Sequence, residues 1–292
     1  MAEYRTKTDW AFEIFNYILM AAIVFFTLFP FWNAFVGSFN KGIDFARGGV
    51  YFWPREFTLS NYIAVFQNSR ILSAYRVTVL RTVIGTILSV LVCALFAYAF
   101  SRKDLVGKNL YGVMGLGIMF FYSGLIPTYM IIKRLGLINN FLVYLFPHMF
   151  NFFYVLMMQA YFKENIPTSL IESAKMNGAG EYRIFFSLVL PLSKPIIAVM
   201  LLFQGVWHWN YYKDALIYTT KPELETLQLL LMKVIRTAQQ SSVMAQAAAT
   251  AGTTSTSVQM ATMMVATLPI LALYPFLQRY FVKGIMVGAV KG

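Results

Sequence analysis

Charged side chains are so sparse along the 292 residues that the distances between them outline the elements of the chain. From Ile14 to Asn40 there is no charge at all, and a membrane-crossing helix needs about 20 apolar residues. Further apolar runs lie between Arg81 and Arg102, Lys108 and Lys133, Arg134 and Lys163, and Lys194 and Lys213. A last one precedes Arg279, from about Met260. Each run has to be helical, because a lone segment in lipid satisfies its own backbone groups only as a helix. The pattern predicts an all-α polytopic membrane protein with six spans, at about residues 13–39, 77–100, 110–132, 139–162, 195–218 and 260–282. The first run is too long for a signal-peptide core and no small-residue cleavage site follows it, so it is expected to be retained.

The connections differ in character. Lys41 to Arg70 is long and polar, and its YFWPREFTLSNY stretch carries aromatics suited to a membrane interface. Ser101 to Asn109 is short and basic, and Leu135 to Asn140, with Gly136, reads as a tight turn. After Thr219, KPELETLQLLLMKVI is an apolar pattern too short to span. It predicts a helix lying at the interface, followed by a Gln-, Ala-, Ser- and Thr-rich stretch from Thr237 to Ser257. The most distinctive connection is residues 163–194, within which Glu172 to Pro195 reads ESAKMNGAGEYRIFFSLVLPLSKP. Two short helices are expected there, broken at Asn177-Gly178, with Pro191 and Pro195 at the start of the next run, where proline is tolerated. Such a polar elbow suits a part that another protein grips, or it merely joins two spans.

Composition narrows the class. Hydrophobic residues make up 59% of the chain and charged ones 12%, with a mean hydropathy of +0.61, too few charges to solvate a globular surface of this size. Cys93 is the one cysteine, so there is neither a disulfide framework nor a CxxC metal site. The net charge of +12 fits loops that meet anionic lipid head groups. Arginine-rich tracts and basic–aromatic interleaving are absent, so no nucleic acid partner is expected. Twelve of the 24 Lys and Arg residues fall on the side of the termini, and the positive-inside rule leaves the orientation open.

Several polar residues within or beside the spans are candidates for function. Arg76 and Arg81, with Arg70 just before them, form either a basic lining for an anionic sugar or a set of side chains snorkelling to head groups. Asp214 is positioned to pair with a neighbouring basic group. Trp207, Trp209, Asn210 and Tyr211 either line a translocation path, where rings pack on sugar C–H faces, or anchor the chain at the interface. Asn151 and Tyr122, polar in mid-span, are further path candidates. His148 and His208 lie 60 positions apart without a carboxylate cluster, so a metal or general-base role is not expected. No Ser/His, paired-Asp or HExxH constellation supports an intramembrane enzyme. No internal repeat of the kind a self-sufficient secondary transporter carries is evident.

The 172–195 stretch resembles the EAA loop of ABC importer permeases, with Glu172, Ala174, Gly178, Ala179, Phe185, Leu190, Pro191 and Pro195 at matching places. Ser173 and Asn177 depart from it, standing where the pattern has alanine and aspartate. AYAFSRK (97–103), WHWNYYKDALIYT (207–219) and LQRYFVKGIMVGAVKG (277–292) resemble further stretches of MalG-like carbohydrate permeases. The lengthened loop before the sixth span is more like the LplC-type branch, which includes permeases implicated in polysaccharide or alginate-oligosaccharide import. The resemblance implies the type I importer permease fold, paired with a homologous second permease, two ATP-binding subunits and an extracytoplasmic solute-binding protein. It implies a bacterial inner-membrane location with both termini cytoplasmic, and import of an oligosaccharide, or of another solute, by alternating access. Glu172, Ala174, Asn177, Gly178 and Ala179 would then form the coupling helix on the ATPase, with Glu172 bonded to an arginine there. Lys291 and Gly292 would end a tail reaching between the two ATPases. The chain has no GxxxxGK[ST] phosphate loop. ATP and Mg are therefore expected in the partner subunits, with no cofactor, metal or catalytic residue in this chain.

Overall fold

A computed structural model describes residues 7–121, 123–241 and 256–272. Its helices, in chain order, are α1 (Lys7–Ser38), α2 (Gly42–Ala46), α3 (Ser60–Gln67), α4 (Ser69–Ser101), α5 (Lys108–Phe120), α6 (Leu125–Arg134) and α7 (Phe152–Asn165). They continue with α8 (Thr168–Met176), α9 (Glu181–Ile184), α10 (Leu190–Leu192), α11 (Lys194–Asn210), α12 (Lys213–Tyr218), α13 (Leu227–Ser241) and α14 (Thr256–Ala272). The described residues include no strand beyond one isolated bridge, Asn40 to Phe57.

The chain divides into two compact units, residues 1–68 with 231–268, and residues 69–230 with 269–292. In the first unit, the uncharged run forms α1, whose apolar window is not buried against anything within the chain. The polar stretch that follows is folded rather than slack. Asn40 Nδ2 donates to Asp44 Oδ2 at 2.9 Å, and Arg55 reaches Asp44 Oδ2 at 3.2 Å and the Gly48 carbonyl at 2.6 Å. Asn61 Nδ2 donates to the carbonyls of Ser38 and Asn40, both at 2.9 Å. The Asn40 hydrogen bond, with Arg55 beside it, holds the Asp44 carboxyl below the usual carboxylate range although burial opposes this. Trp32 Nε1 donates to the Phe52 carbonyl, and Trp53 next to it is 75% exposed. The aromatics of the 51–62 stretch thus gather where α1 ends.

The second unit is built on α4. Its small residues Ala74, Gly85, Ser89, Ala94 and Ala97 are buried and let α7 and α11 approach closely. A Cβ on Gly85 would lie 2.6 Å from Cε1 of His208, and one on Gly115 would collide with the Phe152 ring. Val90, Cys93, Tyr98, Phe152, Met158, Phe185 and Met200 form the centre of its core.

The segments expected as straight spans differ from that picture. α4 starts at Ser69, eight residues before the expected 77, because Arg70 and Arg76 are good helix formers and the spacing of charges understates the helix. The 110–132 stretch is two helices, α5 and α6. Gly124 lies between them with φ +87°, a backbone state that favours glycine. The 139–162 stretch opens with 3₁₀ turns at Phe141–Tyr144 and Phe146–His148 before α7, with a 52° bend. In the 195–218 stretch α11 stops at Asn210 and α12 follows. α11 itself meets residues 181–192 at 84°, because Pro195 cannot carry helical hydrogen bonding across its start. Among the described residues, two helices, α1 and α4, are long and apolar enough to cross a membrane unbroken. The number rises to five if each bent pair is one span, and α14 is a shorter apolar helix.

Candidate functional site

The 163–194 connection folds as the short helix α8, a glycine turn, and α9 running into a π segment, Phe185–Val189. One face of α8 is seated, with Ile171 5% exposed and Ala174 packed on the core, while Glu172, Ser173, Lys175, Met176 and Asn177 are exposed. The helix ends in a Schellman motif. The amide of Ala179 donates to the Ala174 carbonyl at 3.0 Å and that of Gly178 to the Lys175 carbonyl at 2.9 Å. Gly178 takes φ +77°, and a Cβ there would meet nothing within 4 Å. Glycine is thus required by the backbone and not by crowding. Asn177 Nδ2 donates to the Ser173 carbonyl at 2.9 Å. An ionised aspartate, which only accepts, could not make that bond.

The turn is tied to its surroundings through one carboxylate. Glu181 accepts from the Tyr98 hydroxyl on α4 and pairs with Lys175 of α8 at 2.5 Å. Lys175 also lies 3.7 Å from Asp104, which is 3.5 Å from Arg102. Burial would raise the Glu181 carboxyl. The Lys175 ammonium and the Tyr98 hydroxyl outweigh it and hold the group below its ordinary value of 4.5.

A second cluster lies toward the other end of α4. Arg81 and Asp214 are 0% and 1% exposed and form a bidentate pair at 3.0 and 2.7 Å. Arg81 also donates to the Tyr211 carbonyl at 2.9 Å and lies 4.6 Å from the centre of the Tyr144 ring. Around them lie Trp207 and Tyr211, stacked at 4.4 Å, with the His148 ring tilted against Trp207 at 4.6 Å. His208 is buried at a ring distance of 6.5 Å from His148. Neither ring nitrogen of His208, nor Arg81 Nε, has a hydrogen-bond partner among the described residues.

These positions sort the candidates from the sequence. Arg81 does not snorkel. It is enclosed by protein and committed to Asp214, because a buried guanidinium needs a matched acid. Nor does it line an open entrance, so that reading now rests on Arg76, which is exposed. Trp207 and Tyr211 join the cluster. Trp209, two residues along the helix and so on another face, is buried edge-on against Tyr75 at 5.8 Å. Asn210 is exposed, and its side-chain Oδ1 accepts from Gln228 Nε2 at 3.3 Å. Asn151 sits at the bend of its stretch as the N-cap of α7, accepting from the Phe153 amide at 3.0 Å. Tyr122, Lys291, Gly292 and most of the 237–257 stretch lie outside the described residues. Sequence reasoning missed that His148 and His208 share the Arg81–Asp214 cluster, since the four positions are dispersed over more than a hundred residues. No group of three or more His, Cys, Asp or Glu that could hold a metal occurs among the described residues.

No family model matches the sequence. Protein LplC of Bacillus subtilis is 33% identical over 296 residues, covering 99% of this chain and 98% of its own length. The chain belongs to the permease family of sugar ABC importers. The Bacillus subtilis polygalacturonan/rhamnogalacturonan transport system permease YtcP is 35% identical over 96% of the permease and 97% of its own length. A chain from the crystal structure of a bacterial ABC transporter involved in import of the acidic polysaccharide alginate superposes with a TM-score of 0.90. It is 28% identical and covers 96% of the permease and 100% of its own length.

Proposed function

We propose that this permease imports acidic, uronate-bearing oligosaccharides as one half of a heterodimer with a homologous permease. Two cytoplasmic ATP-binding subunits, which hold ATP and Mg, drive it, and an extracytoplasmic binding protein delivers the sugar. The chain spans the inner membrane six times with both termini inside, and its tail, ending at Lys291 and Gly292, reaches the ATPases. The observation that carries the coupling half of this reading is α8. It is a short exposed helix locked at its C-terminal end by the Schellman turn, with Glu172 free to meet a cation of the ATPase and Ala174, Asn177, Gly178 and Ala179 fixing its geometry. ATP closure would move α8, and the spans would rock to open the cavity outward, provided the sugar favours one state over the other.

Two observations support the acidic substrate. Polygalacturonan and alginate, named for two relatives, are polyuronates. In addition, Arg76, Lys133, Arg134, Lys213 and Lys221 are exposed on the second unit outside the 163–194 loop. Trp207 and Tyr211 offer stacked rings for sugar C–H faces. The test is ATPase activity of the reconstituted assembly with its binding protein, against uronate and neutral oligosaccharides. Stimulation by the uronates is expected. Stimulation by neutral sugars alone would overturn the acidic substrate, and no stimulation by any sugar would overturn the oligosaccharide.

A further inference from the structure

The turn joining α8 to α9, residues 177–180, contains Gly178 and Gly180, and a Cβ built on either meets nothing within 4 Å. Only Ala179, partly buried between the two glycines, packs from this turn onto the core, and glycine offers the least resistance to backbone rotation. A push on α8 would therefore be absorbed here unless side chains bridge the turn. One carboxylate does so. Glu181 uses Oε1 for Lys175 on the near side of the turn and Oε2 for Tyr98 on α4. Tyr98 is itself fixed. It is 6% exposed and its ring lies 5.6 Å from that of Phe185, at the start of the π segment. A cavity of about 680 Å³ opens beside the contact, with Arg102, Asp104, Leu105 and Tyr182 among its walls. Beside the cavity, then, these side-chain bonds add to the packing of Ile171, Ile184 and Phe185 on the core that already joins loop and α4.

We infer that Glu181 is a positioning residue for transport, clamping the coupling helix to α4 across the glycine turn so that movement of α8 reaches the spans. The inference rests on the reading of α8 as the coupling helix. Stability alone does not account for the arrangement, because the Lys175 and Glu181 side chains are 37% and 50% exposed and such pairs contribute little to folding. Two hydrogen-bonded partners on one carboxylate do fix a direction, which is what transmission needs.

The test labels Met176 on α8 and Ile87 on α4 as Cys variants with nitroxide spin labels, leaving buried Cys93 in place. The distance distribution is measured in the nucleotide-free assembly. A narrow distribution is expected for the wild type, with broadening in Glu181→Gln and Tyr98→Phe. The double exchange Lys175→Glu with Glu181→Lys, which restores an opposite-charge pair, should narrow it again. Unchanged width in both single variants would overturn the clamp, as would a wild-type distribution already broad. Should Glu181→Gln fail to assemble, Tyr98→Phe, which removes one hydroxyl, decides alone. In liposomes with oligogalacturonate as the probe, sugar moved per ATP hydrolysed should fall roughly five-fold in Tyr98→Phe while ATPase activity persists. Proportional loss of both would also overturn the clamp. A wild-type assembly without ATPase activity would instead count against the coupling-helix reading, with the nucleotide-free widths still deciding the clamp.

Discussion

Arg81 and Asp214 have side chains 0% and 1% exposed, whereas those of Lys175 and Glu181 are 37% and 50% exposed. Both pairs engage α4, with Arg81 and Tyr98 separated by about 25 Å of helix. The buried pair joins α4 to the first turn of α12, where Asp214 Oδ1 also accepts from the Ala215 amide at 2.7 Å. Its charges have left water, so each depends on the other and the pair behaves as a fixed staple. The exposed pair keeps part of its solvation and adds little to folding, so its use is to hold the direction of α8 across the glycine turn. Two ion pairs that bear on α4, one through Arg81 and one through Tyr98, thus serve different ends, set by how much water each retains.

Substitutions at the two sites would break this contrast, and the largest effect belongs to the buried pair. Asp214→Ala leaves the Arg81 charge enclosed without its partner and should cost about 3–5 kcal/mol, read as a lowered unfolding temperature in detergent. Replacing both residues by apolar ones, Arg81→Met with Asp214→Leu, should cost less than the single change. A double variant worse than the single would show that the pair contributes more than its own neutralisation. Next comes the glycine turn. Gly178→Ala forces a side chain into φ +77° and should cost about 1–2 kcal/mol. Gly180→Ala, at φ −72°, should be close to neutral, and equal effects would sink the Schellman argument.

The smallest effect is that of pH on the exposed pair. The Glu181 carboxyl lies below its ordinary value of 4.5, so its contribution is complete above about pH 4.5 and is lost as pH falls through the lower, folded value. Tyr98→Phe should flatten that loss in a stability–pH profile. An identical profile in both proteins would detach Tyr98 from the carboxylate.

Much of this molecule was legible before any coordinates. Runs without charge marked where apolar helices lie, because lipid tolerates little else. Asn177-Gly178 marked the break after α8, because the backbone there needs φ > 0. What stayed hidden was the interior of the runs. Hydropathy reads Ile14–Asn40 and Arg81–Arg102 as equivalent, yet α1 buries none of its apolar window and α4 buries 44% of its own. The clue in α4 was Thr78, Arg81, Thr86 and Ser89, polar residues that bury only against protein. The partners of Thr78, Arg81 and Ser89, Asp214 among them, lie more than a hundred residues away, where no local pattern reaches. The breaks near Gly124, Pro147 and Tyr211 were also missed, since counting charges sees length but not backbone geometry. Asn177, a departure from the family pattern, is explained only by its bond to the Ser173 carbonyl.

The most direct test of α8 as the coupling helix is site-specific photo-crosslinking in native membranes. A probe at Met176, which is 89% exposed on α8, is compared with one at Phe26, 74% exposed on α1. A crosslink to the ATP-binding subunit from Met176 and none from Phe26 is the predicted result. An intact assembly that hydrolyses ATP but gives no crosslink from Met176 would contradict it.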